Sequence, residues 1–163
     1  MSRRNTALVL TTIAALGVGA PVTAQALSSQ EAAMPSTGNP LRGTWQVTVD
    51  PRPAPDGTNP PPFESTIAYN GGHTVTEATS RGGGSSAGVG SWARTTGSKY
   101  EMTFQKYRFD ATGAYIGKTV IVEQITVTGA STYESVATTR IIDASGAVVA
   151  QFASDATGTR LTP

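Results

Sequence analysis

The chain contains no cysteine, which excludes disulfide frameworks, Cys-ligated zinc, iron–sulfur clusters and thiol nucleophiles. It has a single histidine, His73, so a multi-histidine metal site or a Ser-His-Asp triad has little to work with. Charge is scarce as well: 14% of residues are Asp, Glu, Lys or Arg, against about 25% in ordinary soluble domains. What the chain has in quantity is threonine (25), glycine (18) and proline (10). Threonine favours strands, and glycine with proline supplies turns, so this composition points to an all-β chain. At 163 residues it is sized for one domain.

There is one long apolar run. Residues 6–20 follow the basic stretch Ser2-Arg3-Arg4-Asn5 and precede the small-x-small sites Val22-Thr23-Ala24 and Ala24-Gln25-Ala26. That layout is an export signal, too short to span a bilayer, which takes about 20 apolar residues. Cleavage is expected after Ala26, with Ala24 the alternative; a retained N-terminal anchor is the competing reading. Residues 27–40 (LSSQEAAMPSTGNP) read as a flexible tether, and residues 41–163 as the folded domain. Removing residues 1–26 takes away Arg3 and Arg4 and leaves 10 basic against 11 acidic side chains. A near-neutral domain of this kind lacks the basic footprint of a nucleic-acid binder. It also gives no reason to expect anionic membranes as partners or stable membrane insertion. The expected location is secreted or periplasmic.

Within the domain, strand-like runs alternate with turn chemistry. They cover residues 43–50, 63–69, 73–79, 89–95, 99–109, 114–128, 131–142 and 147–155, with a last stub at 158–161. The connections are a Pro-rich loop (51–62), Asn70-Gly71-Gly72, a glycine–serine loop (80–88), Thr96-Gly97-Ser98, Gly129-Ala130 and two Asp-x-x-Gly turns, at 110–113 and 143–146. Asp first and Gly last is type I turn chemistry. Eight runs joined mostly by short hairpins predict a single antiparallel up-and-down meander. A meander of this length closes into a barrel because an open sheet would leave two unpaired edges. A two-sheet sandwich is the alternative.

Strand direction then sorts the loops. One end of the barrel collects the long loops 51–62 and 80–88 with both Asp-x-x-Gly turns. The other collects the tight turns and both ends of the domain, and places Trp45 near Arg160. Gly43-Thr44-Trp45 opening the first strand, the long first loop and the late Arg160 resemble the calycin superfamily, which includes lipocalins and avidins. The resemblance implies that Trp45 plugs the barrel floor and that Arg160 packs across its ring, a contact of about 0.5–2 kcal/mol. The lipocalin Thr-Asp-Tyr motif and the usual cysteines are missing.

With Trp45 inward, alternation assigns the interior. Phe63, Ser65, Ile67 and Tyr69 share one face, as do Tyr100, Met102, Phe104, Lys106 and Arg108. So do Val148, Ala150 and Phe152, and likewise Tyr133, Ala137 and Ile141. The run at 89–95 is ambiguous: Trp92 and Arg94 share one face, Val89, Ser91 and Ala93 the other. Glu77 falls beside Val75, and Glu123 between Ile121 and Ile125. A buried carboxylate needs a partner or stays protonated, and Arg94, Lys106, Arg108 and Arg140 are the available cations. Glu77 and Glu123 are therefore either a polar anchor or acid/base pair in an apolar lumen, or structural ion-pair members. Tyr69, Tyr100, Met102, Phe104, Glu123 and Tyr133 are the candidate ligand-binding residues, and Glu77 and Glu123 the candidate catalytic ones.

Other motifs carry less. His73 sits at the closed end and reads as a surface or hairpin-packing residue. Gly82-Gly83-Gly84-Ser85-Ser86 lacks the lysine and strand–loop–helix context of a phosphate cradle and reads as a mobile rim loop. Pro60-Pro61-Pro62 reads as a stiff lid segment. The aspartates lack calcium-loop spacing, so neither metal nor cofactor is expected. Three functions fit: an exported barrel binding a small apolar or amphipathic molecule in its lumen, a small barrel enzyme of isomerase or cyclase type using lumen Glu and Tyr groups, and a protein-binding or inhibitory barrel with a filled core. The first is the favoured expectation.

Overall fold

The structure, a computed structural model, describes residues 38–54, 57–81 and 83–162. The expected signal segment, residues 1–26, and residues 27–37 of the expected tether lie outside the described residues. Eight strands follow in order: β1 (Gly43–Pro51), β2 (Phe63–Tyr69), β3 (Thr74–Thr79), β4 (Gly88–Thr96), β5 (Lys99–Phe109), β6 (Tyr115–Val127), β7 (Thr132–Asp143) and β8 (Val148–Arg160). Each pairs antiparallel with its sequence neighbour, and β8 returns to pair with β1, so the meander closes into a barrel. The driving pattern is visible in β1, where Trp45 and Val47 are buried while Thr44 and Thr48 face solvent. That period-two alternation buries one face of every strand in a shared interior.

One expectation about the elements needs correction, and one open assignment is resolved. The stub at 158–161 is not separate: β8 continues through Gly158 to Arg160, which pairs with Trp45 across β1. Gly158, read as a break, is where the Tyr133 ring lies against the backbone; a Cβ there would come 2.2 Å from the ring. In β4, Trp92 turns inward together with Gly88 and Gly90, while Arg94 stays exposed. The ambiguity arose because two of the three inward positions have no side chain. A Cβ at Gly88 would meet the Phe104 ring at 2.6 Å.

Strand lengths are unequal, and this shapes the open end. β5 to β8 run 11 to 13 residues, whereas β1 to β4 run 6 to 9. One side of the mouth is therefore walled by strand. The other is finished by the loops after β1 and β3, tied back by the Arg52 N–H donating to Ala153 O at 2.9 Å. The glycine–serine loop, expected to move freely, is stitched to the end of β5. The Ser86 and Phe109 amides donate to Tyr107 O and Gly84 O respectively, and Ser85 bridges Arg108.

Candidate functional site

The closed end is built first, because it decides where space is left. Trp45, Tyr69, Tyr100 and Tyr133 are fully buried and Trp92 nearly so. Their rings meet edge-on or tilted at centroid distances of 4.9 Å (Trp45–Tyr133), 5.9 Å (Tyr69–Trp92) and 6.0 Å (Trp92–Tyr100), geometries that aromatic quadrupoles favour. The Trp45 indole N–H donates to Leu41 O at 2.8 Å. Arg160 lies over the Trp45 ring at 4.3 Å and donates to Arg42 O, Ala130 O and Pro40 O. The plug implied by the calycin resemblance is thus present, and the last residues of the expected tether are bound into it. His73 packs outside this floor, its ring 5.2 Å from that of Trp92.

Above the floor the same strands carry smaller inward residues. Ser65 on β2 and Ala137 on β7 replace Tyr69 and Tyr133, Ser154 and Ala156 on β8 are small as well, and a cavity of about 420 Å³ opens to the mouth. Its walls are largely apolar: Val47, Ile67, Phe104 and Ile121 lower down, then Phe63, Ile141 and Phe152 toward the rim. Volume and character both fall in the range of small-molecule pockets, about 300–1,000 Å³. Of the sequence-predicted ligand residues, Phe104 and Glu123 line this cavity; Tyr69, Tyr100, Met102 and Tyr133 are absent from its walls and belong to the buried core.

The two candidate carboxylates both line the cavity, in different states. Glu77 is held: Lys106 Nζ lies 2.9 Å from its Oε1, and the Ser65 hydroxyl donates to the same oxygen at 2.8 Å. Glu123 has no such cation. Arg94 donates to Gly97 O, Arg140 is exposed on β7, and Lys106 is committed to Glu77. Glu123 is only 5% exposed, and burial raises its pKa to about 7. The nearby Ser135 hydroxyl pulls that value down and the Glu77 charge pushes it up. Burial also drives the Tyr69 and Tyr133 phenols well above their ordinary value, and both hydroxyls, 3.4 Å apart, stay neutral.

Four buried polar side-chain atoms have no hydrogen-bond partner among the described residues: Glu77 Oε2, Glu123 Oε1, Ser135 Oγ and Tyr100 OH. Buried polar atoms are normally satisfied, at a cost of about 1–3 kcal/mol each when they are not. Tyr100 and Ser135 both pair with Ile125, on β5 and β7 respectively. They therefore flank the inner face of β6 next to Glu123. Sequence reasoning did not single out Ser135; the signal was a small hydroxyl on the inward face of β7, between Tyr133 and Ala137. It also did not place Arg52 and Arg81 at the cavity mouth, since loop residues have no alternation to follow. Among the described residues no group of three or more His, Asp or Glu is arranged to hold a metal ion.

This geometry defines a class: an eight-stranded antiparallel barrel, plugged at one end and hollow toward the other. No family model and no curated protein matches the chain. Among solved structures it is similar to EF1p2_mFAP2b bound to DFHBI, at 19% identity and a TM-score of 0.52, covering 75% of this chain and 94% of that one. At that identity the likeness shows the shared barrel fold.

Proposed function

We propose that this protein is an exported binder of a small, mostly apolar molecule, taken into the mouth half of the barrel with a polar group directed at Glu123. The observation that carries the reading is a buried carboxyl without a cation at the wall of an open apolar cavity. Near neutral pH much of the Glu123 population is the neutral acid, which donates a hydrogen bond to a carbonyl or hydroxyl oxygen. The barrel neighbour's complex with DFHBI supports use of this fold for a small ligand.

The test is displacement of the neutral fluorophore N-phenyl-1-naphthylamine by a ketone and by the hydrocarbon of equal carbon number. The ketone should compete better, and its advantage should fade as pH rises through about 7. Glu123→Leu should remove the advantage, and Glu123→Gln should keep it at every pH. Equal competition by both compounds would count against Glu123 as the anchor. Export rests on residues 1–26 as a signal. N-terminal sequencing of protein recovered from a secreting host should read from Leu27, or from Gln25 if Ala24 is the site.

One observation favours a second reading, acid–base catalysis. A carboxyl with a pKa of about 7 is matched to proton transfer at neutral pH, and no cation holds it ionised. In that case Glu123→Gln abolishes turnover of a bound carbonyl compound while changing its affinity by no more than a few-fold.

A further inference from the structure

The lining of the cavity is unbalanced in charge. Four cations reach it, Arg52, Arg81, Lys106 and Arg108, against two carboxylates, Glu77 and Glu123. Lys106 is spent on Glu77, and Arg52 turns to Asp155 at 2.7 Å. Among the described residues no carboxylate pairs with Arg81 or Arg108. Arg81 is nevertheless held in place: its guanidinium lies 4.2 Å from the centre of the Phe63 ring and donates to Pro61 O at 3.2 Å. Arg108 shares the inner face of β5 with Lys106, at the rim, where its backbone bridges Ser85 of the loop that carries Arg81. The two unmatched guanidiniums therefore belong to one sector of the mouth, where β3, β5 and the loop after β3 meet.

Depth separates this sector from Glu123. Glu123 pairs with Met102, six residues down β5 from Arg108, which is about 20 Å along a strand at roughly 3.3 Å per residue. Between them β5 carries Phe104 and then Lys106, whose charge is spent on Glu77, and β6 carries Ile121 and Thr119. A cavity with low-dielectric walls and a one-signed rim focuses its field outward and draws in the opposite charge. Arginine's planar fork is suited to carboxylate, sulfonate and phosphate oxygens in particular.

Building on the lumen-binding reading, we infer that the natural ligand is an amphipathic organic anion, bound with its apolar body in the lumen and its anionic group outward at Arg81 and Arg108. The deep end takes a neutral polar or apolar terminus, because a second negative charge there would face Glu123, which no cation among the described residues offsets. The mouth thus selects by charge, and the lumen by size.

A matched pair of probes tests this. 8-Anilinonaphthalene-1-sulfonate and N-phenyl-1-naphthylamine share one apolar frame and differ by the sulfonate. Fluorescence titration of the mature protein should show the sulfonate binding about tenfold more tightly at low salt, the ratio that 1.4 kcal/mol produces. The two probes should displace one another. The preference should collapse toward parity at high ionic strength and in an Arg81→Gln/Arg108→Gln double variant, with the neutral probe unchanged. Salt dependence of the wild type stands as an independent measure should the double variant fold poorly. Neutral-probe binding with no sulfonate preference, or a preference that survives both treatments, overturns the anion assignment and leaves lumen binding intact. Failure of both probes to bind overturns the lumen reading and the anion assignment with it.

Discussion

At the floor of the barrel Trp45, Tyr69, Trp92, Tyr100 and Tyr133 fill the cross-section. Four residues further along β2 and β7, Ser65 and Ala137 stand where Tyr69 and Tyr133 stood, and the interior opens. Both halves use the same backbone, closed by the same ladder of hydrogen bonds. They differ in side-chain volume, and that difference divides the work. Packed rings with a cation sealing them hold the barrel together. Small inward residues at the other end give up packing energy and leave room for a guest. Polar groups follow no such simple division. At the floor the Trp45 and Trp92 indole N–H groups each reach a backbone carbonyl, while Tyr100 OH has no partner among the described residues. At the cavity wall Glu77 is held by Lys106 and Ser65, while Glu123 Oε1 has no partner among the described residues.

The largest test of this division is Trp45→Ala. Truncating a fully buried Trp costs about 3–5 kcal/mol, enough to threaten a domain whose total stability is about 5–15 kcal/mol. Phe152→Ala at the mouth, where the ring is 41% exposed, should cost far less in urea unfolding. Equal losses would erase the contrast between the two ends.

Next comes pH. The folded pKa of Glu123 is raised to about 7 from an ordinary 4.5, so the folded state holds this proton more tightly than the unfolded chain. The stabilisation from its protonated form is complete below about pH 4.5 and is lost as pH rises to 7 and beyond, a change on the order of 3 kcal/mol. Melting temperature followed from pH 4.5 to 8 should carry this downward contribution, and Glu123→Gln should remove it. A profile identical in the two proteins would place Glu123 in water rather than at the lumen wall.

Gly158→Ala sharpens the floor more finely. The added methyl meets the Tyr133 ring, and overpacking of this kind costs about 1–3 kcal/mol. A crystal structure of the variant should show Tyr133 displaced, and an undisturbed ring would mean the floor is looser than its contacts indicate. The smallest effect belongs to the rim. Arg52 and Asp155 are paired but about half exposed, so Asp155→Ala should leave the melting temperature unchanged within error. A clear drop would show that the loop after β1 is structurally fastened to the strand wall.

Much of this architecture was legible in residue order. Alternation placed Trp45, Tyr69, Tyr100, Tyr133, Glu77 and Glu123 on inward faces, since the side-chain period of a strand is local and survives any particular pairing. Turn chemistry placed the strand ends to within a few residues for the same reason, failing at Gly158, where glycine serves a neighbouring ring instead of a turn. What lies across the barrel was not legible. Lys106 could have served either glutamate, and 29 residues separate it from Glu77 along the chain. Only the register of β3, β4 and β5 brings those two together and leaves Glu123 without a cation. The cavity is likewise a property of closure. Ser65, Ala137, Ser154 and Ala156 come from three strands, and nothing in any one segment says that they share a cavity. They make an open space only because closure of the barrel brings them together around the same interior, above the rings that fill the floor.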